Sequence, residues 1–277
     1  MISDSHMHTR IFSTDGRQTP EELIESAKKL GISNVSITEH YDMDYPHKDE
    51  SFIFDLDKYK ETFPKWQEYS LNIGGPKLLM GIEIGWQPHL NERIKETASY
   101  LPFDSVILSN HIYHGDDIYY SKDCALMPRQ MRNREYIGTL ARMCREIDDF
   151  DIAAHYDYIN RYIEDPQSSV FYDDCPEEFD DFFDALISKD KALEINTSSI
   201  NKQIKKGSPY IMPDPRIIKR YIDMGGKLFT IGSDAHDADK IGQHFDKTVE
   251  YLKSLGVKEI YYYEGRKPVS DPEFSRS

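Results

Sequence analysis

Two histidines stand one residue apart near the start of the chain, in Asp4-Ser5-His6-Met7-His8-Thr9. On an extended segment side chains alternate faces, so His6 and His8 point the same way. Two imidazoles presented together are half of a transition-metal site. Further candidate ligands close short apolar runs: His40, Glu83, His111, His155, then Asp234 and His236. Asp15 lies just after the first run. The set holds six imidazoles and three carboxylates, too many for one tetrahedral ion, so two or three divalent ions sharing a carboxylate are expected. Imidazole with carboxylate suits zinc, with iron or manganese as alternatives. Each residue also has a bland reading: a hydrogen-bonded loop histidine, a paired core glutamate at Glu83, a helix cap at Asp234, a turn at Asp15-Gly16. Those readings leave unexplained why every one of them marks the same edge. His47, His89, His114 and His244 do not end strands and are given no ligand role.

The elements that must position these residues follow from the apolar pattern. Strands are expected at 2–9, 34–38, 77–83, 105–109, 152–154, 192–196 and 228–231, and 259–263 is an eighth strand or one outside the ring. Helical patterns cover 20–31, 55–72, 90–101, 129–148, 176–188, 214–224 and 244–255. The first opens on Thr19-Pro20-Glu21-Glu22, a cap, a first-turn proline and acids at the positive end of the dipole. Strands followed by helices imply parallel pairing through right-handed crossovers. Seven or eight such units suggest a closed or nearly closed barrel, with an open doubly wound sheet as the alternative. In a parallel barrel the loops after the strands share one rim. Residues more than two hundred positions apart then converge on one mouth.

Composition narrows the function. The 277 residues suffice for one large domain, and no linker or repeat divides 1–277. A net charge of −15 argues against nucleic acid or an anionic membrane as partner, since both need clustered Lys and Arg. The three cysteines, Cys124, Cys144 and Cys175, form neither a disulfide framework nor a zinc motif. No signal sequence or membrane-length apolar run is present, so a cytoplasmic protein is expected, as a monomer or small homo-oligomer.

His6-x-His8, Asp15-Gly16 before Thr-Pro-Glu-Glu-Leu, Thr38-Glu39-His40, Gly81-Ile82-Glu83, Ser109-Asn110-His111, Ala154-His155 and Gly232-Ser233-Asp234-Ala235-His236 resemble, in order, the motifs of the PHP (polymerase and histidinol phosphatase) family. Within it, the length and the stretch from Ala154 to Tyr162 resemble the monofunctional histidinol-phosphate phosphatases. The resemblance implies an α/β fold, a distorted (β/α)7 TIM-like barrel, with a trinuclear metal centre at the C-terminal ends of the strands. Carried over, one metal takes His6, His8, Glu83 and Asp234, and a second shares Glu83 and adds His111 and His155. A third takes Asp15, His40 and His236; Asp15 stands where some relatives have histidine, and Glu39, replacing a common Asp, is expected to orient an imidazole. The implied reaction is hydrolysis of L-histidinol phosphate to L-histidinol and phosphate, with His40, Asp234 and His236 as catalytic residues.

For a phosphate monoester, direct in-line attack by a metal-bridging hydroxide is expected, without a phosphoenzyme. Arg161, shortly after His155, is the expected phosphate clamp, helped by His40. Arg129, Arg132 and Arg134 read as a solvated helix face. The insertions at 41–58 and 112–128, rich in Tyr, Asp and His, are expected to close over the ligand. Three rivals stand beside this reading: a PHP-type phosphoesterase for a phosphotyrosine protein or nucleotide, an amidohydrolase-type barrel, and a non-enzymatic metal-dependent regulator.

Overall fold

Every boundary of the first helix is written in its side chains. In the computed structural model, which describes residues 1–47, 52–121 and 123–276, helix α1 (Pro20–Leu30) opens on a complete capping box. Thr19 Oγ1 accepts from the Glu22 amide at 3.1 Å, and the Glu22 carboxylate accepts from the Thr19 amide at 2.8 Å. Gly31, at φ 72°, closes the helix in the left-handed region. Thr19→Ala is expected to remove about 1 kcal/mol of stability. A lowered urea midpoint with unchanged slope and specific activity would show it.

The central sheet is parallel throughout. Its strands are β1 (Asn34–Tyr41), β2 (Lys77–Gly85) and β3 (Ser105–Ser109), then, past the short hairpin β4 (Ile112–Tyr113) and β5 (Asp116–Asp117), β6 (Ile152–Ala153), β7 (Ala192–Asn196) and β8 (Phe229–Gly232). They lie in the order β1-β2-β3-β6-β7-β8. Helices α2 (Leu56–Ile73), α3 (Asn91–Tyr100), the short α4 (Asp123–Leu126), α5 (Arg129–Glu146), α6 (Pro176–Ser188), α7 (Thr197–Lys205), α8 (Pro215–Asp223) and α9 (Phe245–Ser254) fill the crossovers and follow the last strand. The result is an α/β fold with a curled parallel sheet. The aromatic side of α6 (Phe179, Phe182, Phe183) is buried, and Phe183 meets Tyr221 of α8 edge-on at 5.2 Å.

Residues 4–8 run between the two edges of this sheet and bond to both. Toward β1, Asp4 donates to Asn34 O (3.0 Å), and Ser36 and Thr38 donate to Asp4 O and Met7 O (both 2.9 Å). Toward β8, Ser5 donates to Ile231 O (3.0 Å), His8 to Ala235 O (3.1 Å), and the Asp234 amide to His6 O (2.8 Å). The expected first strand is therefore present only as single bridges, at Asp4–Val35 and Met7–Ala235. The bonds to β1 fall at Asp4 and Met7, three residues apart, so the two-residue period of a ladder is broken between them.

Of the two readings of 259–263, the strand outside the ring is the one found, and two features depart from the pattern for physical reasons. The stretch near 259–263 forms β9 (Tyr261–Glu264), which pairs antiparallel with β10 (Lys267–Ser270) before the short helix α10 (Pro272–Arg276), outside the sheet. Helix α7 is not signalled, because Thr-Ser-Ser-Ile-Asn is poor in helix formers; its start is fixed by the Asn196 side chain accepting from the Ser198 amide. Arg132 is not on a solvated face. It is 3% exposed and donates to Cys124 O and Met127 O, while Arg129 pairs with Asp174 and Arg134 with Glu178. Among the described residues no helix is long and apolar enough to cross a membrane.

Candidate metal centre

The strand ends determine which side chains meet. In the β1–β2 register His40 lies opposite Glu83, at the C-terminal end of both strands. His111 follows β3, His155 follows β6, and Asp234 and His236 follow β8. His155 (φ 23°) and Asp234 (φ 52°) hold positive backbone angles, as do five other non-glycine residues away from the cluster. His6 and His8 enter from the segment bonded to both edges.

Glu83 is fully buried at the middle of the group. Its Oε2 lies 3.1 Å from His6 Nε2, 3.5 Å from His8 Nε2 and 2.9 Å from His40 Nδ1. Its Oε1 lies 2.8 Å from His155 Nε2 and 3.2 Å from His111 Nε2, and accepts from Ser109 Oγ at 2.5 Å. Asp234 Oδ1 is 3.4 Å from His8 Nε2. At the rim, Asp15 Oδ2 lies 3.1 Å from His236 Nε2 and 3.6 Å from His40 Nε2. All nine candidate ligands thus fall in one connected cluster.

The same atoms are the ones left without hydrogen bonds. His6 Nε2, His8 Nε2, His40 Nδ1 and Glu83 Oε2 are buried and unpartnered, close to one another but misaligned for bonding. Burying such groups unpaired is expensive, and a divalent cation among them offsets that cost. Three sets bring donor atoms within 4.8 Å of one another: His6, His8 and Asp234; His40, Glu83 and His111; His8, His40 and His236. The donor chemistry fits ions that accept imidazole and carboxylate together.

Acceptors behind three of the imidazoles fix their tautomer. His6 Nδ1 donates to Glu194 Oε1 and His111 Nδ1 to Asp42 Oδ1, both at 2.7 Å, and His236 Nδ1 to Asp234 O at 3.0 Å. A carboxylate can only accept, so these Nδ1 atoms carry the proton and Nε2 offers its lone pair inward. Glu39 reaches an imidazole indirectly: it accepts from Ser13 Oγ at 2.6 Å, and Ser13 Oγ lies 3.5 Å from His8 Nδ1. Asp42 and Glu194 were not singled out from sequence. Glu194 carries a signal like that of Glu83, an acid inside an apolar strand; Asp42 follows His40 by two positions. Gly232 is required beside them, because a Cβ there would come 2.5 Å from both Glu194 Oε1 and His6 Cβ.

Electrostatics binds the cluster together. Burial alone would raise the Glu83 carboxyl, but His6, His40 and His111 hold it well below its ordinary range. Burial likewise opposes charge on His40, yet Asp15 and Glu83 outweigh it and raise its pKa to about 9. Loading metal onto this site therefore displaces protons.

Arg161 reaches the cluster and is 5% exposed. It donates to Asp234 Oδ2 at 2.6 Å and Ser199 Oγ at 3.2 Å, lies over the Tyr158 ring at 4.9 Å, and keeps Nε free of any partner. Above it opens a cleft of about 510 Å³. The loops after β1 and β3 give it Tyr45, Phe52, Asp117 and Tyr119; α7 and the loop after β8 give it Lys202, Lys205 and Lys240. Tyr45, Phe52, Asp117 and Tyr119 belong to the two insertions, of which residues 48–51 and 122 lie outside the described residues. His47, His89 and His114 stay outside the cluster, paired with Asp116, Asp44 and Glu135.

Comparison with known proteins matches the PHP domain over residues 4–198. A probable histidinol-phosphatase of Clostridium acetobutylicum is 33% identical over 262 residues, 95% of this chain and 97% of the relative. The histidinol-phosphatase of Lactococcus lactis is 27% identical, over 95% of each chain. A crystal structure of histidinol phosphate phosphatase from Lactococcus lactis, complexed with zinc, L-histidinol and phosphate, superposes with a TM-score of 0.85. It is 25% identical and covers 97% of this chain and all of that one.

Proposed function

This chain belongs to the PHP domain family, and from that premise we propose that it is a metal-dependent phosphatase converting L-histidinol phosphate to L-histidinol and phosphate. The observation that carries the reading is Glu83, buried among five imidazoles whose inward nitrogens include unpartnered ones. Similarity to histidinol-phosphatases along nearly the whole chain supports the substrate. In this reading residues 1–277 are one domain, and residues 4–8 are the seventh stave of a distorted (β/α)7 barrel.

His6, His8, Asp15, His40, Glu83, His111, His155, Asp234 and His236 would hold two or three divalent ions, zinc first, with iron or manganese as alternatives. When bound, the ions supply Lewis acidity toward the phosphate oxygens and toward water near neutral pH. The chain's own residues do the positioning. Arg161, fixed by Asp234 and Ser199, lines the cleft and offers its guanidinium to a phosphate oxygen, and His40 and His236 stand at the rim beside it. Asp117, held by the Tyr45 hydroxyl (2.5 Å) and the Tyr119 amide (2.7 Å), is placed to accept the substrate ammonium. Tyr158, Tyr162 and Tyr119, ring against ring at 5.5 and 4.9 Å, give the imidazole an aromatic wall.

The test is kcat/KM for L-histidinol phosphate beside an aryl phosphate and phosphotyrosine, with metal content measured. A preference of about 10³ or more, about 4 kcal/mol, is expected. Asp117→Asn is expected to raise KM for L-histidinol phosphate about tenfold or more and leave the aryl phosphate unaffected, since only the former carries the ammonium. Equal slow rates on all three would reject the substrate and leave a general metal phosphoesterase.

A further inference from the structure

A second cleft, of about 440 Å³, opens where the ends of β6 and β7 meet α7 and the loop before α8. None of the candidate metal ligands lines it. Its walls carry four aromatic side chains, Tyr156, Phe171, Tyr210 and Tyr251, set among aliphatic residues and prolines. The one guanidinium there, Arg216, is committed to Asp214 and Asp173. The charged and amide groups left free are acceptors. Gln203, 8% exposed, donates through Nε2 to Ser168 O at 3.0 Å and leaves its buried Oε1 with no partner. Asp157 accepts from the Ser199 hydroxyl on one carboxylate oxygen, at 2.7 Å, and forms no ion pair with the described residues.

We propose that this cleft is a second binding site, for a small organic ammonium carrying an aromatic or similarly flat apolar body, and that its occupancy is felt at Arg161. The recognition is complementary: unspent acceptors and ring faces for the cation, ring faces for the body. The coupling is short. Ser199 Oγ donates to Asp157 and accepts from Arg161 at 3.2 Å, so one hydroxyl touches both the wall of this cleft and the guanidinium at the catalytic cluster. An ammonium drawing the Asp157 carboxylate toward itself loosens the hold on Arg161.

The test uses 2-phenylethylammonium, titrated calorimetrically into metal-loaded protein saturated with inorganic phosphate; L-histidinol, itself an aromatic ammonium that this cleft would take, is left out, and Asp117→Asn removes the ammonium acceptor of the catalytic cleft. Saturable binding is expected. It weakens at least about tenfold in Gln203→Leu and in Tyr210→Ala, and for the neutral 2-phenylethanol, and it is kept in Asp117→Asn. Tyr210 is 42% exposed, so loss in that variant does not report unfolding. Absence of saturable binding up to ~10 mM, retention in both cleft variants, equal binding of the alcohol, or loss in Asp117→Asn would each overturn the proposal. In the kinetic arm the probe raises KM for the phosphate substrate severalfold in wild type and not in Tyr210→Ala; an unchanged wild-type KM overturns the coupling. The calorimetric arm is independent of the substrate assigned above.

Discussion

Glu83→Gln is expected to lower kcat/KM for phosphate release by at least about 10³-fold, about 4 kcal/mol, and to cost the protein at least one metal ion. Glutamine keeps the shape of the side chain and removes its charge. Five imidazoles lie within 3.5 Å of this carboxylate, which makes it the anion shared by most of the cluster. An amide there sets an N–H₂ group against nitrogens that must offer lone pairs to a cation. The fold itself is expected to survive, because no buried anion is left unpaired: the histidines that Glu83 helps to charge simply release their protons more readily. The decisive comparison is metal content by elemental analysis beside urea unfolding with and without chelator. In wild type the metal stabilises by mass action; in Glu83→Gln that increment shrinks while the chelated proteins unfold alike. Full metal content with full activity would remove Glu83 from the centre.

Arg161→Ala is expected to lower kcat/KM about 10²- to 10³-fold and to weaken product inhibition by inorganic phosphate by a similar factor. Arg161→Lys is expected to recover only a small part, because an ammonium cannot present the fixed fork that Asp234 and Ser199 hold in place. The two roles of this residue separate cleanly. If Arg161 only neutralises Asp234, lysine restores activity and the phosphate inhibition constant stays put. If it binds phosphate, that constant rises in both variants while metal content is kept.

Much of the site is legible in the sequence because a parallel strand delivers its last residue to a common rim. His40, Glu83, His111, His155, Asp234 and His236 all announce themselves by ending apolar runs, and the structure gathers them with His6, His8 and Asp15. The residues behind them are harder to see. Asp42 and Glu194 act by bonding the far nitrogen of an imidazole, and that relation joins residues 69 and 188 positions apart, with no spacing rule to betray it. Helix α7 is hidden by its own composition. Arg132 misleads because charge near a helix start reads as exposed, whereas this guanidinium closes the carbonyls of the preceding turn.

Residues 4–8 carry a consequence for the order of assembly. They bond to β1 nearby in the chain and to residues 231–235 at its other end, and the Asp4 carboxylate also accepts from the Ser233 amide across 229 positions. On a translating ribosome this segment must wait, one edge satisfied and the other bare, until β8 emerges. Contacts of such separation slow the closing step. The two histidines on the segment are then held loosely during synthesis, and the full set of ligands exists only once the chain is almost complete. His236 is the last of the nine candidate ligands to be made, so a chain released before it lacks a complete set.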